Sequence, residues 1–130
     1  MSNSTAPLIL CVGGEHVALQ VRSLLLSGAG YRVLAAKNGE EALRIFRLNP
    51  VDLVIIDLWQ PEGTGSEMLG EMKRIHPKVP VILLTELMDL PLGSEQADLL
   101  LTKCMTPPEF LEAISRTVAK SRTQGAEAAR

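Results

Sequence analysis

The stretch 51–65, VDLVIIDLWQPEGTG, constrains this chain more than any other. Its first half is a short run of β-branched and aliphatic residues bounded by turn residues, and it ends abruptly on the carboxylate of Asp57. A continuous apolar run of this length reads as a strand buried on both faces, the kind that parallel sheets contain. Open parallel α/β sheets bind ligands outside the carboxyl ends of their strands. An acid placed there and followed by a Pro/Gly loop is therefore a candidate site residue. Taken alone, Asp57 reads more often as a strand-end residue turning into a loop, and the rest of the chain has to decide.

Residues 8–12 read as a first short buried strand that Gly13 and Gly14 end. Val17, Val21, Leu24 and Leu25 then recur at helical spacing over residues 15–27, and Gly28 to Gly30 stop that helix. A second strand follows at 31–36. Asn38 caps the next helix, with Glu40 and Glu41 in its positive first turn and Ala42, Leu43 and Phe46 toward the core. Residues 52–57 form the third strand. Thr64 to Glu67 has capping-box spacing, and Met68, Met72 and Ile75 form the apolar stripe of a third helix, which reads as core packing.

Residues 79–84 are a fourth strand, ending on Thr85. Pro91 and Gly93 then interrupt the place of a full helix, so a turn or two at most is expected over 86–96. A fifth strand at 98–102 ends on Lys103. Thr106, Pro107 and Glu109 start a last helix, whose core face is Phe110, Leu111, Ile114 and Val118. Strands alternating with helices imply a parallel sheet with right-handed crossovers. The expected fold class is α/β, a flavodoxin-like doubly wound sheet of five parallel strands in the order 2-1-3-4-5, with a shortened fourth helix. Gly13, Gly14, Asp57, Thr85 and Lys103 then share one sheet edge.

An acid, a hydroxyl and an ammonium at neighbouring strand ends suit phosphoryl chemistry. Asp57 can take up a phosphoryl group, Thr85 can donate a hydrogen bond to one of its oxygens, and Lys103 can neutralise another. A plain Lys103 to Asp57 ion pair with Thr85 as a satisfied hydroxyl fits the same residues equally well.

Composition bounds the other classes. The 130 residues make one domain with an aliphatic core, since 46% are hydrophobic and only 3% aromatic. A formal charge of -2 with scattered lysines and arginines argues against direct nucleic-acid binding. No apolar run is long enough to span a bilayer, and the start of the chain lacks a secretory pattern, so a cytoplasmic protein with no membrane partner is expected. Cys11 and Cys104 lie in or beside apolar runs and read as buried free thiols. His16 reads as exposed, and His76 as a residue favoured by the C-terminal dipole of its helix. Trp59 either lies over Asp57 or packs its apolar body on the loop, the second being the more frequent case.

Over residues 8–118 the chain resembles the receiver domains of two-component response regulators. Asp57 with Pro61 and Gly65, Leu83-Leu84-Thr85, Thr102-Lys103 and the run from Asn38 to Leu43 follow the receiver pattern in order and spacing. The resemblance implies a CheY-like domain over 7–121 between short tails, 1–6 and a flexible 122–130, in a phosphorelay. Asp57 would be the phosphoacceptor, with Thr85 and Lys103 as the phosphoryl-binding switch residues. The domain would not be an enzyme beyond self-phosphorylation from a phosphodonor and self-dephosphorylation. Its partners would be a histidine kinase, a phosphotransfer protein or another signalling protein, and receivers also pair through the fourth strand, the fifth strand and the last helix.

The departures from the pattern are as informative. Receivers end the first strand on two acids that hold Mg²⁺, and here Gly13 and Gly14 stand in those positions and offer no carboxylate. Glu15 and Asp57 are the remaining oxygen donors for the ion, so Mg²⁺ is a cofactor only if this altered site still holds it. Cys104 follows the lysine where a proline is usual, and Leu100 replaces the usual switch aromatic. The expected function is a receiver whose Mg²⁺-dependent phosphorylation is impaired. The alternative is a pseudo-receiver, a protein interaction module in which Asp57 and Lys103 are permanently paired. A flavin protein of the same topology is the remote third reading, because the loop after the first strand lacks the hydroxyls a flavin phosphate needs.

Overall fold

The computed structural model describes residues 6–57, 59–60, 63–85 and 96–128, with the side chains of 59–60, 63–66 and 123–128 outside that description. The elements run β1 (Leu8–Val12), α1 (His16–Gly28), β2 (Arg32–Ala36), α2 (Gly39–Leu48), β3 (Leu53–Asp57), β4 (Trp59–Gln60), β5 (Gly63–Thr64), α3 (Gly65–Ile75), β6 (Val81–Thr85), β7 (Leu99–Thr102) and α4 (Pro107–Ala128). Five strands form one parallel sheet in the order β2-β1-β3-β6-β7. Counted along the chain, this is the expected 2-1-3-4-5 order of a doubly wound flavodoxin-like sheet. The two-residue strands β4 and β5 pair antiparallel in the loop beyond Asp57 and were not anticipated from the sequence.

Alternation along each strand splits the core into two layers. Leu8, Leu10, Val12, Val54, Ile56 and Leu83 face α2 and α3, where Ala42, Phe46, Met68, Leu69 and Met72 close the layer. Ile9, Cys11, Leu53, Ile55, Ile82 and Leu84 face α1 and α4, where Leu19, Leu26, Phe110, Ile114 and Val118 close the other. All five residues of β3 are buried, as expected for the central strand of a sheet covered on both sides.

Side chains fix the ends of these elements. Asp52 Oδ2 accepts from Leu8 N at 2.8 Å and aligns the start of β1 against the approach to β3. Asp98 Oδ2 does the same for β6 by accepting from Val81 N at 2.7 Å. Asn38 Oδ1 accepts from Glu41 N, and Glu41 Oε1 accepts in return from Lys37 N, which closes the first turn of α2. Thr106 and Glu109 form the reciprocal pair that starts α4. The backbone and hydroxyl hydrogen bonds from Thr106 hold the Glu109 carboxyl below its ordinary range. Gly30 ends α1 in the left-handed region, φ 99°, which glycine enters without a Cβ penalty.

Three expectations need correction. Helix α1 turns Leu19 and Leu26 to the core, while Val17, Val21 and Leu24, expected there, are 62%, 51% and 72% exposed. The apolar spacing on this helix has two solutions, and Leu19 with Leu26 fits the layer of Ile9 and Ile55. Cys104 is exposed, unlike Cys11, because it follows β7 in a turn instead of lying within a strand. Helix α4 continues to Ala128, so most of the tail expected at 122–130 is helical in its backbone. The tail before residue 6 and the shortened helix expected at 86–96 lie almost wholly outside the described residues. Among those described, no helix is long and apolar enough to cross a membrane.

Candidate functional site

Asp57 closes β3 at the carboxyl edge of the sheet and is 3% exposed. It is paired in register with Leu84, so Thr85 stands one step beyond it on the adjacent strand β6. Thr85 in turn pairs with Thr102 of β7, and its carbonyl accepts from Lys103 N at 3.1 Å. This bond carries the ladder one residue further and directs the chain so that the Lys103 side chain returns across the end of β6. Lys103 Nζ lies 2.7 Å from Asp57 Oδ1, a contact short enough for a charge-assisted hydrogen bond. The sheet register thus brings together the three strand-end positions that the sequence placed on one edge.

A second cation reaches the same carboxylate. Arg22 Nη2 lies 3.7 Å from Asp57 Oδ2, and the Arg22 side chain is 14% exposed. Arg22 follows Leu19 by three residues and precedes Leu26 by four, so it shares their buried stripe on α1. Sequence reading missed this residue because it took the other apolar stripe of α1 for the core. The signal that could have found it was a lone arginine on the Leu19 and Leu26 face, close to two glycines at the end of the neighbouring strand.

The glycine positions explain how Arg22 fits. Gly13 prolongs β1 by donating its N–H to Ala36 O at 3.0 Å. A Cβ added to Gly13 would stand 3.1 Å from Arg22 Nη2 and 3.7 Å from the Asp57 Cβ. A Cβ at position 13 would therefore press on the guanidinium, which would have to give by a few tenths of an ångström. Gly14 is exposed in the turn that follows. Glu15 is the N-cap of α1, and its carboxylate accepts from Val17 N at 3.3 Å and Ala18 N at 2.7 Å. Its carboxylate is engaged in capping the helix start.

Among the described residues, no group of three or more His, Cys, Asp and Glu is arranged to hold a metal ion. The described side chains at the Asp57 edge are one carboxylate and two cations, a donor set that does not fit Mg²⁺, which requires several oxygen ligands. Cys11 lies under this edge, and burial pushes its thiol up to about 12, against an opposing pull from the Arg22 charge. His16 is exposed, as expected. His76 makes an edge contact with Phe46, ring centroids 5.4 Å apart, at the end of α3. The expected positions of the Trp59 side chain and of Pro61 lie outside the described residues.

Comparison with known proteins identifies the family. The model of the response regulator receiver domain matches residues 9–115. The transcriptional regulatory protein GlrR of Escherichia coli K12 is 39% identical over 85 residues, covering 65% of this chain and 19% of GlrR, so the chain corresponds to a small part of that relative. A response regulator receiver domain from Clostridium thermocellum superposes with a TM-score of 0.82 at 33% identity, covering 91% of this chain and 98% of that one. The response regulator TrrA of Thermotoga maritima gives 0.79 at 32% identity, covering 85% and 97%. Matched by the family model over residues 9–115 and sharing the sheet order of a doubly wound flavodoxin-like fold, the chain belongs to the response regulator receiver domains of two-component signalling.

Proposed function

We propose that Asp57 is the phosphoacceptor position of this receiver and that its phosphorylation is impaired in its dependence on Mg²⁺. The 2.7 Å contact between Lys103 Nζ and Asp57 Oδ1 at the carboxyl edge of the sheet carries the reading. It fixes one carboxylate oxygen against a compact cation that can neutralise an added phosphoryl oxygen, with Thr85 on the strand between them. A carboxylate held in this way attacks the phosphorus of a phosphohistidine or of a small acyl phosphate. TrrA, at 32% identity, was solved in complex with Mg²⁺-BeF. The glycines at 13 and 14 here supply no oxygen side chain for such an ion. The phosphodonor on this reading is a histidine kinase or a phosphotransfer protein.

The test is incubation with acetyl phosphate, with and without Mg²⁺, followed by intact mass. A single phosphoryl adduct is expected that forms slowly, is absent from Asp57→Asn, and gains little from Mg²⁺. An adduct of equal size in Asp57→Asn would remove Asp57 from the role. A pseudo-receiver is the second reading, favoured by the near-complete burial of Asp57 between two cations. It is upheld if no donor yields an adduct and Asp57→Ala still binds the partner kinase as the parent does.

A further inference from the structure

Arg22 is a charged group at the Asp57 edge to which the receiver pattern assigns nothing. Its Nη2 is buried and has no hydrogen-bond partner among the described residues. The 3.7 Å to Asp57 Oδ2 is close enough for Coulomb attraction and too long for a hydrogen bond. A buried guanidinium nitrogen with unspent donors is costly, and such an orphan in a native site calls for a ligand or a functional reason. Arg22 Nη2 also lies beside the oxygen of Asp57 that faces away from Lys103.

Space and charge point the same way. Gly13 is not in the left-handed region, so its backbone does not demand glycine. What the missing side chain provides is room, since a Cβ there would meet Arg22 Nη2 at 3.1 Å. An acid at position 13 would crowd the guanidinium where it now stands. Among the described residues, two cations against one carboxylate leave one net positive charge at this edge. In a poorly solvated site that excess repels a divalent cation and attracts an oxyanion. A phosphoryl group on Asp57 replaces the single carboxylate charge by about two negative charges, which Arg22 and Lys103 balance without a metal. The flat guanidinium fork also matches the spacing of phosphoryl oxygens.

We infer that Arg22 is the resident cation of the phosphoryl site, standing in the volume opened at Gly13, donating to a phosphoryl oxyanion on Asp57 and excluding a divalent metal. The inference rests on the reading of Asp57 as phosphoacceptor. In the transfer, a lone pair of Asp57 Oδ2 forms the new O–P bond as the bond from phosphorus to the leaving group breaks. The leaving group departs with that electron pair, as acetate from acetyl phosphate, and no proton moves. Arg22 Nη2 then hydrogen-bonds one equatorial oxygen and Lys103 another.

Four forms of the full chain test this: the parent, Arg22→Met, Gly13→Asp/Arg22→Ala and Asp57→Asn, each checked for native circular dichroism. Mg²⁺ is titrated into each by calorimetry, and each is incubated with acetyl phosphate in EDTA or in Mg²⁺ before intact mass. The parent should bind no Mg²⁺ and label at the same rate in EDTA and in Mg²⁺. Arg22→Met, which keeps length and loses charge, should label about a hundredfold more slowly in EDTA, the usual effect of removing one charge-stabilising donor. Gly13→Asp/Arg22→Ala should gain both Mg²⁺ binding and Mg²⁺-dependent labelling. Labelling of Arg22→Met at the parent rate in EDTA, or Mg²⁺ binding by the parent that Arg22→Met leaves unchanged, overturns the inference. If no form labels, the phosphoacceptor reading fails and calorimetry decides alone. A gain of Mg²⁺ binding in Gly13→Asp/Arg22→Ala then upholds Arg22 as the occupant of the metal position, and no gain overturns it.

Discussion

Asp57 and Lys103 were legible in the sequence because each ends an apolar run, and a strand-end position is fixed by the run that leads to it. Arg22 was not, because a helix can present either of two apolar stripes, and only the layer it packs on selects one. The same layer sets the chemistry of Cys11, which is buried beneath α1, while Cys104 is exposed. In the native protein one thiol reagent equivalent should therefore react rapidly at Cys104, and Cys11 should react only after denaturation, with peptide mapping as the readout. Burial raises the Cys11 thiol from 9.0 to about 12. The unfolded chain loses this proton near pH 9.0 and the folded chain keeps it, so the contribution is whole below pH 9.0 and is lost as the pH rises toward about 12. A Cys11→Ala variant should lose less stability than the parent over that alkaline window, as followed by urea titration.

At the scale of elements, the boundaries read from sequence, the end of α4 apart, lie within a few residues of those found because caps and breakers are local. Asn38, Gly30 and the Thr106 to Glu109 pair act within one turn and need no partner from elsewhere. Which face of an element is buried is a tertiary property, and α1 shows the difference. Leu26 is fully buried in the layer of Ile9 and Ile114, whereas Leu24, two residues earlier, is 72% exposed. Leu26→Ala should cost about 2–5 kcal/mol, and Leu24→Ala should change stability by no more than about 0.5 kcal/mol. Urea midpoints of the two variants check the assignment, since the sequence-based stripe demands the reverse order. The β4 and β5 pair was missed for a related reason, because two-residue strands carry no periodicity to read.

For the molecule as a whole, alternation of strand and helix was enough to fix the sheet order, since parallel neighbours joined by right-handed crossovers leave few topologies. The two-layer core followed from the continuous apolar strands. Charge balance at the sheet edge was less accessible, because it depends on three side chains distant in sequence: Arg22 on α1, Asp57 at the end of β3 and Lys103 after β7. That separation has a kinetic consequence. Strand β3 must pair with β1 on one side and await β6 on the other, and Lys103 reaches the carboxylate only once β7 has docked on β6. A side-chain pair that needs both docked strands in place is expected to be completed after they pair, and so to be largely absent from the folding transition state. Substitutions at Asp57 or Arg22 should therefore change the unfolding limb of a chevron plot and leave the folding limb nearly in place. The charged edge acts as a latch on the finished sheet, setting how long the native state lasts more than how quickly it is reached.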